Sequence, residues 1–445
     1  MIFTQFVDDA LGCASYLVGD EGSGEAVVVD PAFAIEQYLE EAARRDVRIV
    51  RVLETHTHAD HLSGHGRLAL EHGVSISIHD EAGAEFPHDA LEDGDEILLG
   101  KVVLRCIHTP GHRPEHCCFA VLDTSRGDEP WLVLTGDSLF VGDAARPDLA
   151  VEAREGAEGL FHSLRRLVEL GDGVEVYPGH VAGSLCGKSM SSKASTTIGF
   201  ERRFNPALAG DDVALFVAES ASVSAPRPPN MERIVELNRG AFVGAQTEPS
   251  EVPMPAEGAQ VVDVRPVEAF ARGHLAGAVS VPVDGSRFST KAAFVLDHER
   301  PVVIAAADEA EADRALAGLR AVAILDIPGY VLGGGSQTLD LVALDELDGL
   351  LADGAELIDV RERDERDTGY IAGSRNIPYR LLALGASDLP EDRPLVTICE
   401  SGPRAAIAAS ILSARGYDAR PVVGGGIDDW QASGKPTVEF RRCGS

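Results

Sequence analysis

The sequence lacks an apolar run long enough to cross a membrane, and no basic region followed by an apolar stretch opens it. We therefore expect neither a membrane span nor a signal peptide. Basic residues are also scarce, because 39 Lys and Arg stand against 72 Asp and Glu, which gives a formal net charge of −33. Such a charge repels phosphate backbones and anionic lipids. We accordingly expect no nucleic-acid partner and no membrane partner.

Cysteine is sparse as well, with seven residues in a chain of 445. The number is odd and the spacing shows no paired framework, so we expect free thiols and a reducing, cytoplasmic location. The chain does have the composition of an ordinary soluble globular protein, with 44% hydrophobic and 25% charged residues. At about 150 residues per domain, its length predicts roughly three domains.

The most informative stretch is a histidine-rich loop that follows the apolar residues 49–53. Within six positions this loop holds His56, His58, Asp60 and His61. Neutral imidazole and carboxylate are common protein ligands of zinc and non-haem iron. Four potential ligands so close together predict a metal site, because a solvated loop would rarely gather them by chance.

Three later β-type runs also end in side chains that can bind a metal, namely His112, Asp137 and His180. Loops at the ends of strands are free to carry chemistry, so we expect these residues to converge on one rim of an α/β fold. All but two of the 14 histidines precede residue 181, which assigns the metal chemistry to the N-terminal part.

Proline-rich stretches follow this part, and we interpret the second of them, residues 248–255, as an extended linker. We place a domain boundary near residue 245. Beyond it the stretch 261–278 recurs in similar form as 357–374. This internal repeat predicts two copies of one small α/β domain, over residues 246–340 and 341–445.

The N-terminal ligand pattern resembles the metallo-β-lactamase superfamily, whose fold is an αββα sandwich with the metal at one edge. The resemblance covers most of residues 1–245. It rests on His56, His58, Asp60, His61, His112, Asp137 and His180.

This resemblance leaves two alternatives open, since the ligand positions of both are present. In glyoxalase II-type thioester hydrolases His56, His58 and His112 would hold one metal, with Asp137 as the bridge to a second. Asp60, His61 and His180 would hold that second metal. In persulfide dioxygenases only His56, His112 and Asp137 would bind, to a single Fe(II), which leaves three coordination positions open for a persulfide and O2. The remaining residues would then support the ligands or line the substrate pocket.

The repeated domains resemble rhodaneses, the sulfurtransferase fold. In the second copy the loop from Cys399 through Ser401 and Gly402 to Arg404 closes a strand and opens a helix. A sulfur ringed by backbone N–H groups at a helix N-terminus is favoured as a nucleophilic thiolate. Four residues separate Cys399 from Arg404, as in sulfurtransferases, whereas the related phosphatases need a longer loop. We therefore predict Cys399 and Arg404 as catalytic, with Ser401 and Gly402 binding substrate.

Two features of this loop depart from the family pattern. Pro403 removes one loop N–H, and Glu400 places a negative charge beside the sulfur. Both weaken attraction for the thiosulfate dianion, so we expect a persulfide to be the better sulfur donor. In the first copy Ala306 replaces the cysteine and the following loop is acidic, which predicts a degenerate domain with a structural or interface role.

A metallo-β-lactamase domain, a degenerate rhodanese and an active rhodanese in this order resemble bacterial persulfide dioxygenase–sulfurtransferase fusions. The resemblance implies that one Fe(II) per chain serves the oxidation of a low-molecular-weight thiol persulfide by O2 to sulfite. Cys399 would then interconvert persulfide plus sulfite with thiosulfate plus thiol, as part of hydrogen sulfide detoxification. The alternative is a di-zinc, glyoxalase II-like thioester hydrolase with sulfur-binding rhodanese modules. We also expect a homo-oligomer, while the identity of the thiol and the direction of transfer stay open.

Further residues carry weaker expectations. By family analogy Arg146 could bind an anionic part of the thiol, although a salt bridge with Asp148 fits equally. Tyr177 could lie near the iron or in the core, and Cys186 could receive sulfur or simply pack. The other cysteines have no companion motif and are predicted to be structural, namely Cys13, Cys106, Cys117, Cys118 and Cys443.

Overall fold

A computed structural model describes residues 1–148, 152–181, 191, 193–220, 226–385 and 388–439. The chain divides into two compact units. The first unit is Met1–Gln246 with Arg320–Ala323, and the second is Thr247–Leu319 with Ile324–Ser445. None of the helices in the described ranges is long and apolar enough to cross a membrane.

The first unit is built on two six-stranded sheets. One sheet carries its strands in chain order: β1 (Ile2–Asp8), β2 (Cys13–Asp20), β3 (Glu25–Val29), β4 (Arg48–Leu53), β5 (Ser75–His79) and β6 (Asp89–Leu91). The strands of the other sheet are β7 (Glu96–Leu99), β8 (Val102–His108), β9 (Cys117–Asp123), β10 (Leu132–Gly136), β13 (Glu175–Pro178) and β14 (Thr196–Thr197). They lie in the order β14-β13-β10-β9-β8-β7, and a short hairpin joins β11 (Leu139–Phe140) to β12 (Asp143–Ala144).

The helices of this unit follow the strands along the chain. They are α1 (Glu36–Arg45), α2 (His65–His72), α3 (Ala153–Val168), α4 (Ile198–Phe204), α5 (Val213–Ser220) and α6 (Met231–Arg239), with short 3-10 turns at Asp80–Ala82 and Pro206–Leu208.

The buried side chains of the first unit form three layers of apolar contact. Tyr16 and Val27 of the first sheet share one buried cluster with Phe119 of the second sheet, which places the main core between the sheets. The other face of the first sheet packs on α1 through Tyr38, and the other face of the second sheet packs on α3 through Leu160. Alternate residues of each strand therefore face a helix layer and the opposite sheet. The predicted αββα sandwich is confirmed.

The second unit contains two five-stranded parallel sheets, one for each copy of the repeat. The first copy has β15 (Ser250–Glu251), β16 (Gln260–Asp263), β17 (Val279–Ser280), β18 (Val302–Ala306) and β19 (Gly329–Leu332), in the order β15-β19-β18-β16-β17. The second has β20 (Val342–Ala343), β21 (Glu356–Asp359), β22 (Arg375–Asn376), β23 (Leu395–Ile398) and β24 (Ala419–Val423), in the order β20-β24-β23-β21-β22. The helices are α7 (Val267–Arg272), α8 (Phe288–Val295), α9 (Glu309–Ala321), α10 (Leu347–Ala352), α11 (Arg363–Asp367), α12 (Tyr379–Gly385), α13 (Pro403–Ala414) and α14 (Ile427–Ala432).

The two copies share their strand order and their internal contacts. In the first copy Arg265 forms a buried ion pair with Asp263, and in the second Arg361 forms the same pair with Asp359. The predicted pair of α/β rhodanese domains is thus confirmed as a fold. The stretch that we interpreted as a linker is extended, but Ser250–Glu251 pairs with β19 as the edge strand of the first copy.

Candidate functional site

Strand ends of the first unit deliver the predicted metal ligands to one cluster. His56 follows β4, His112 follows β8, and Asp137 comes directly after β10. Gly136 makes this last turn possible, because it has φ 46° and a Cβ there would lie 2.6 Å from Thr55 Oγ1. The described side chains of His56, His112 and Asp137 each offer one ligand atom within 4.8 Å of the others.

These three side chains are almost fully buried, with 1%, 2% and 1% of their surface exposed. His56 Nε2 and Asp137 Oδ2 are buried without a hydrogen-bond partner among the described residues. His112 Nε2 lies 3.5 Å from the same Asp137 oxygen. An unpaired buried polar atom costs about 1–3 kcal/mol, and a bound cation would satisfy these atoms at once. The donor set therefore fits a metal held by two histidines and one carboxylate.

The other ring nitrogens fix the orientation of the two histidines. His112 Nδ1 donates to the carbonyl oxygen of Arg146 at 3.1 Å. His56 Nδ1 lies 2.9 Å from Thr55 Oγ1, whose own proton goes to Asp30 at 2.8 Å. A proton on Nδ1 leaves the Nε2 lone pair of each ring available to a metal.

His116 also belongs to this site, although sequence reasoning did not single it out. The backbone N–H of Asp137 donates to His116 Nε2 at 2.9 Å, and His116 Nδ1 lies 2.9 Å from Thr109 Oγ1. Burial, with a smaller contribution from His112, lowers the pKa of His116 to about 3. His116 is therefore a neutral acceptor that positions the backbone of Asp137. Its spacing four residues after His112 was the available signal in the sequence.

His180 links Asp137 to the histidine-rich loop. Its Nδ1 lies 2.6 Å from Asp137 Oδ1 and its Nε2 lies 2.7 Å from Asp60 Oδ2. Burial alone would raise the pKa of Asp137, but His180 outweighs it and holds that pKa below the usual range. His180 thus helps keep Asp137 ionised and in place.

Cys13 has companions that its sequence position did not reveal. Its Sγ lies 3.2 Å from His180 Nε2 and 3.4 Å from Asp60 Oδ2. Cys13, Asp60 and His61 form a second group of potential ligand atoms. Cys13 therefore has polar companions that the sequence did not show, and its structural role stays a prediction. Burial, reinforced by Asp60, raises the pKa of the Cys13 thiol.

His58 lies next to His56, with ring centroids 4.3 Å apart, but its polar contacts are with a different pair of carboxylates. Its Nε2 lies 3.1 Å from Glu54 Oε2 and 3.3 Å from Asp30 Oδ1, while its Nδ1 has no partner among the described residues. Burial would lower the pKa of His58, but the two carboxylates raise it well above its ordinary value. The structure therefore groups His58 with Asp30 and Glu54, apart from the three-residue cluster.

Two of the predicted substrate-binding residues have other partners. The Arg146 guanidinium donates to both carboxylate oxygens of Asp148 at 2.6 Å, which is the alternative that we left open. The Tyr177 hydroxyl donates to Glu175 at 3.0 Å and its ring packs 4.6 Å from Phe3, so it is not gathered with the metal ligands. Cys186 and Cys443 lie outside the described residues.

In the second unit Cys399 directly follows β23, and α13 begins four positions later at Pro403, which gives the strand–loop–helix order that the sequence predicts. The backbone N–H of Gly402 donates to Cys399 Sγ at 3.0 Å, and Gly402 has φ 111°, a value that favours glycine. Gly426 closes over the loop, since a Cβ there would lie 2.4 Å from the Cys399 carbonyl oxygen. Cys399 is 1% exposed, while Ser401 is exposed at the rim.

Arg404 is held by acidic neighbours. Its two terminal nitrogens donate to the two oxygens of Glu365 at 2.7 Å, and one also lies 3.3 Å from Glu400. Burial would lower the pKa of Arg404, but the carboxylate of Glu365 outweighs it and raises that pKa. The charge of Arg404 is therefore largely compensated within its own domain.

The corresponding loop of the first copy is closed by its own acidic residues. The backbone N–H of Ala307 donates to Glu311 at 2.5 Å, and that of Glu311 donates to Asp308 at 2.8 Å. Ala306 is fully buried and has no reactive atom. This loop thus carries neither a nucleophile nor an open ring of N–H donors.

Comparisons with known proteins cover both units. Residues 8–180 match the metallo-beta-lactamase superfamily, and residues 251–337 and 343–433 match the rhodanese-like domain. The chain is 32% identical over 246 residues to the mitochondrial persulfide dioxygenase ETHE1 of Bos taurus, with 53% of this chain and 86% of that protein covered. For the Homo sapiens protein of the same name the values are 31% over 243 residues, 52% and 85%.

A solved structure extends the similarity beyond the first unit. It is a metallo-beta-lactamase from Staphylococcus aureus with 29% identity and a TM-score of 0.69. The match covers 75% of this chain and 99% of that one. The chain therefore belongs to the metallo-β-lactamase superfamily, as a fusion of that domain with two rhodanese-like domains.

Proposed function

We propose that the protein is a non-haem iron persulfide dioxygenase coupled to a rhodanese sulfurtransferase. One observation carries the first half of this proposal: a buried cluster of His56, His112 and Asp137 with unpaired ligand atoms. The relatives named persulfide dioxygenase support the same assignment. The second half rests on Cys399 within a rhodanese-like domain.

The three clustered residues would hold one Fe(II). When bound, the iron would supply redox chemistry and open coordination positions for a thiol persulfide and O2. Asp137 contributes the negative charge that compensates the cation, and His180 keeps that carboxylate ionised. His116 positions the Asp137 backbone, and burial of all three ligands excludes bulk water from their ring and carboxylate atoms.

Cys399 would carry out the transfer step. Its thiolate attacks the outer sulfur of a thiol persulfide, a new S–S bond forms at Sγ, and the thiol leaves with the electron pair. Sulfite then attacks that outer sulfur, which gives thiosulfate and restores the thiolate. The N–H of Gly402 stabilises the anionic sulfur in both states. Fusion of the two activities raises the effective concentration of the shared sulfite.

Metal reconstitution tests the proposal directly. The apoprotein is loaded with Fe(II) or with Zn(II) and assayed with glutathione and coenzyme A persulfides as well as with thioesters. We expect about one iron per chain and persulfide-dependent sulfite formation only in the iron form. About two zinc ions per chain with thioester hydrolysis would overturn it.

The second candidate function is a di-zinc thioester hydrolase. The observation that favours it is the additional group of Cys13, Asp60 and His61, together with the unpartnered Nδ1 of His58. The carboxylates of Glu54 and Asp30 hold His58 Nε2, which leaves the Nδ1 lone pair available to a metal, so metal content has to distinguish the two candidates. We further propose a cytoplasmic location and a homo-oligomeric state. The free thiols of Cys13, Cys106, Cys117, Cys118 and Cys399 support the first of these.

A further inference from the structure

The loop that holds Cys399 has an excess of negative charge. Arg404 is its cation, and Glu365 compensates that charge with two hydrogen bonds. Glu400 adds an exposed carboxylate beside the thiol. Sulfite and thiosulfate are anions, and their approach to a thiolate needs positive charge or N–H donors. Within the second copy, the guanidinium of this loop is therefore already paired with a carboxylate.

The first copy of the repeat packs against helices α12 and α13 of the second copy within the same compact unit. Helix α8 of the first copy contacts α12 of the second, where the rings of Phe294 and Tyr379 meet edge to face at 6.1 Å. Strand β17 contacts α13, and the backbone N–H of Ser280 donates to Ser410 at 2.9 Å. The helix that begins at the Cys399 loop is therefore in direct contact with the degenerate domain.

Two cations of the first copy lie at this junction. Lys291 lies on α8, and its ammonium group donates to the carbonyl oxygen of Ser286 at 2.7 Å. Arg287 precedes α8 in the left-handed conformation, with φ 58°, which a non-glycine residue adopts at a cost. Among the described residues neither forms an ion pair with a carboxylate.

Helix α8, which carries Lys291, packs on α12 of the second copy, and Lys291 is within electrostatic range of Arg404 and Cys399. Burial, followed by Arg287 and Arg404, lowers the pKa of Lys291 to about 8, and Cys399 opposes this shift. Arg287 in turn interacts with the Tyr379 ring hydroxyl. Two cations without carboxylate partners among the described residues, within electrostatic range of a third cation and a thiol, form an arrangement that a bound anion would stabilise.

We propose that Lys291 and Arg287 of the degenerate domain complete the binding site for a small sulfur oxyanion at Cys399. The proposal deepens the sulfurtransferase function and rests on it. Sulfur transfer to sulfite and sulfur transfer from thiosulfate are the two directions of one reversible reaction. In the donor direction Cys399 Sγ bonds to the outer sulfur of thiosulfate, the S–S bond of thiosulfate breaks, and sulfite leaves with the electron pair. The first copy has no catalytic cysteine, but it can still take part in the reaction of the second copy through these two cations.

Charge-selective alkylation of Cys399 tests this site without requiring catalysis. The full chain reacts with iodoacetate, an anion, or with iodoacetamide, a neutral reagent of similar size, and peptide mass spectrometry reports the rate at Cys399. Loss of a nearby positive charge should lower the iodoacetate-to-iodoacetamide rate ratio about 3- to 10-fold in Lys291→Gln and in Arg287→Gln. Lys291→Arg should retain the ratio.

Arg300→Gln is the matched control, because it removes one positive charge from an exposed side chain of the same domain. Arg300 donates to the Gly258 carbonyl at the opposite end of β18 and should leave the ratio unchanged. A ratio equal to wild type in both Lys291→Gln and Arg287→Gln overturns the proposal, as does an equal drop in Arg300→Gln.

Kinetics separate this inference from the function on which it rests. In Lys291→Gln the KM for thiosulfate, a dianion, should rise relative to wild type. This rise should be about 3- to 10-fold larger than the rise in KM for the monoanion methanethiosulfonate. If wild type transfers sulfur but the ratio is unchanged in the variants, the oxyanion site is wrong and the transfer function stands. If the ratio falls but wild type transfers no sulfur, the cationic site stands and the sulfurtransferase assignment fails.

Discussion

Replacing Asp137 or Asp60 by asparagine, one at a time, distinguishes a site for one metal ion from a site for two. Asp137 and Asp60 contact the two nitrogens of the same histidine, His180, at 2.6 and 2.7 Å. Asp137→Asn keeps an oxygen for His180 but removes the charged ligand of the metal, so we expect loss of bound iron. Asp60→Asn leaves the three proposed ligands in place and perturbs His180, which orients Asp137, together with Cys13 and His61. Changes at such supporting positions weaken metal binding about 10- to 100-fold, or about 1.4–2.7 kcal/mol.

The assay is metal content after exhaustive dialysis, followed by competition with a chelator of known affinity. We expect about one iron in wild type, none retained in Asp137→Asn, and about one in Asp60→Asn at saturating iron. In a two-metal site Asp60 would be a ligand, and its replacement would reduce the content from two ions to one. That result would refute the single-metal reasoning.

Three other changes have defined outcomes. Cys399→Ser should abolish thiosulfate formation while sulfite release from persulfide continues, and loss of both would contradict the division of labour. Because burial, followed by Arg287 and Arg404, lowers the pKa of Lys291 to about 8, this side chain loses its charge as the pH rises above 8. The wild-type KM for thiosulfate should therefore rise there, and Lys291→Arg, which stays charged, should flatten the profile. Asp359→Asn leaves the buried Arg361 guanidinium without its carboxylate partner and should destabilise the second unit by about 3–5 kcal/mol, which urea denaturation measures.

Local sequence patterns were sufficient for most of the fold. The apolar runs before His56, His112 and Asp137 form β4, β8 and β10, because short runs of buried residues with turn signals at their ends favour strands. The repeat was visible because both copies keep an Asp–Arg pair at the end of their first central strand. The edge strand at Ser250–Glu251 was missed, since two exposed residues carry no periodic signal.

The composition of the metal cluster was harder to predict. Spacing alone could not show that His58 turns to Glu54 and Asp30, because Asp30 belongs to a different strand end. Cys13 is brought to His180 across 167 positions of sequence. Such contacts depend on how strands pair, and pairing between distant segments leaves no local pattern.

The same limit applies to the sulfur-transfer loop. The motif from Cys399 to Arg404 predicted the nucleophile. It did not predict that the Arg404 guanidinium would hydrogen-bond to Glu365. The cations Arg287 and Lys291 belong to the first copy, whose loop after β18 identifies it as degenerate. The packing of α8 against α12 brings the first copy to the second, and Lys291 of α8 comes within electrostatic range of Cys399.

The central claim is that the buried cluster of His56, His112 and Asp137 supports oxidation of a persulfide by O2. The most direct measurement is O2 consumption by the iron-loaded protein with glutathione persulfide, with sulfite quantified in the same reaction. The account predicts one O2 consumed for each sulfite formed, and no O2 consumption in Asp137→Asn. Turnover of a thioester without O2 consumption, and none of the persulfide, would contradict it.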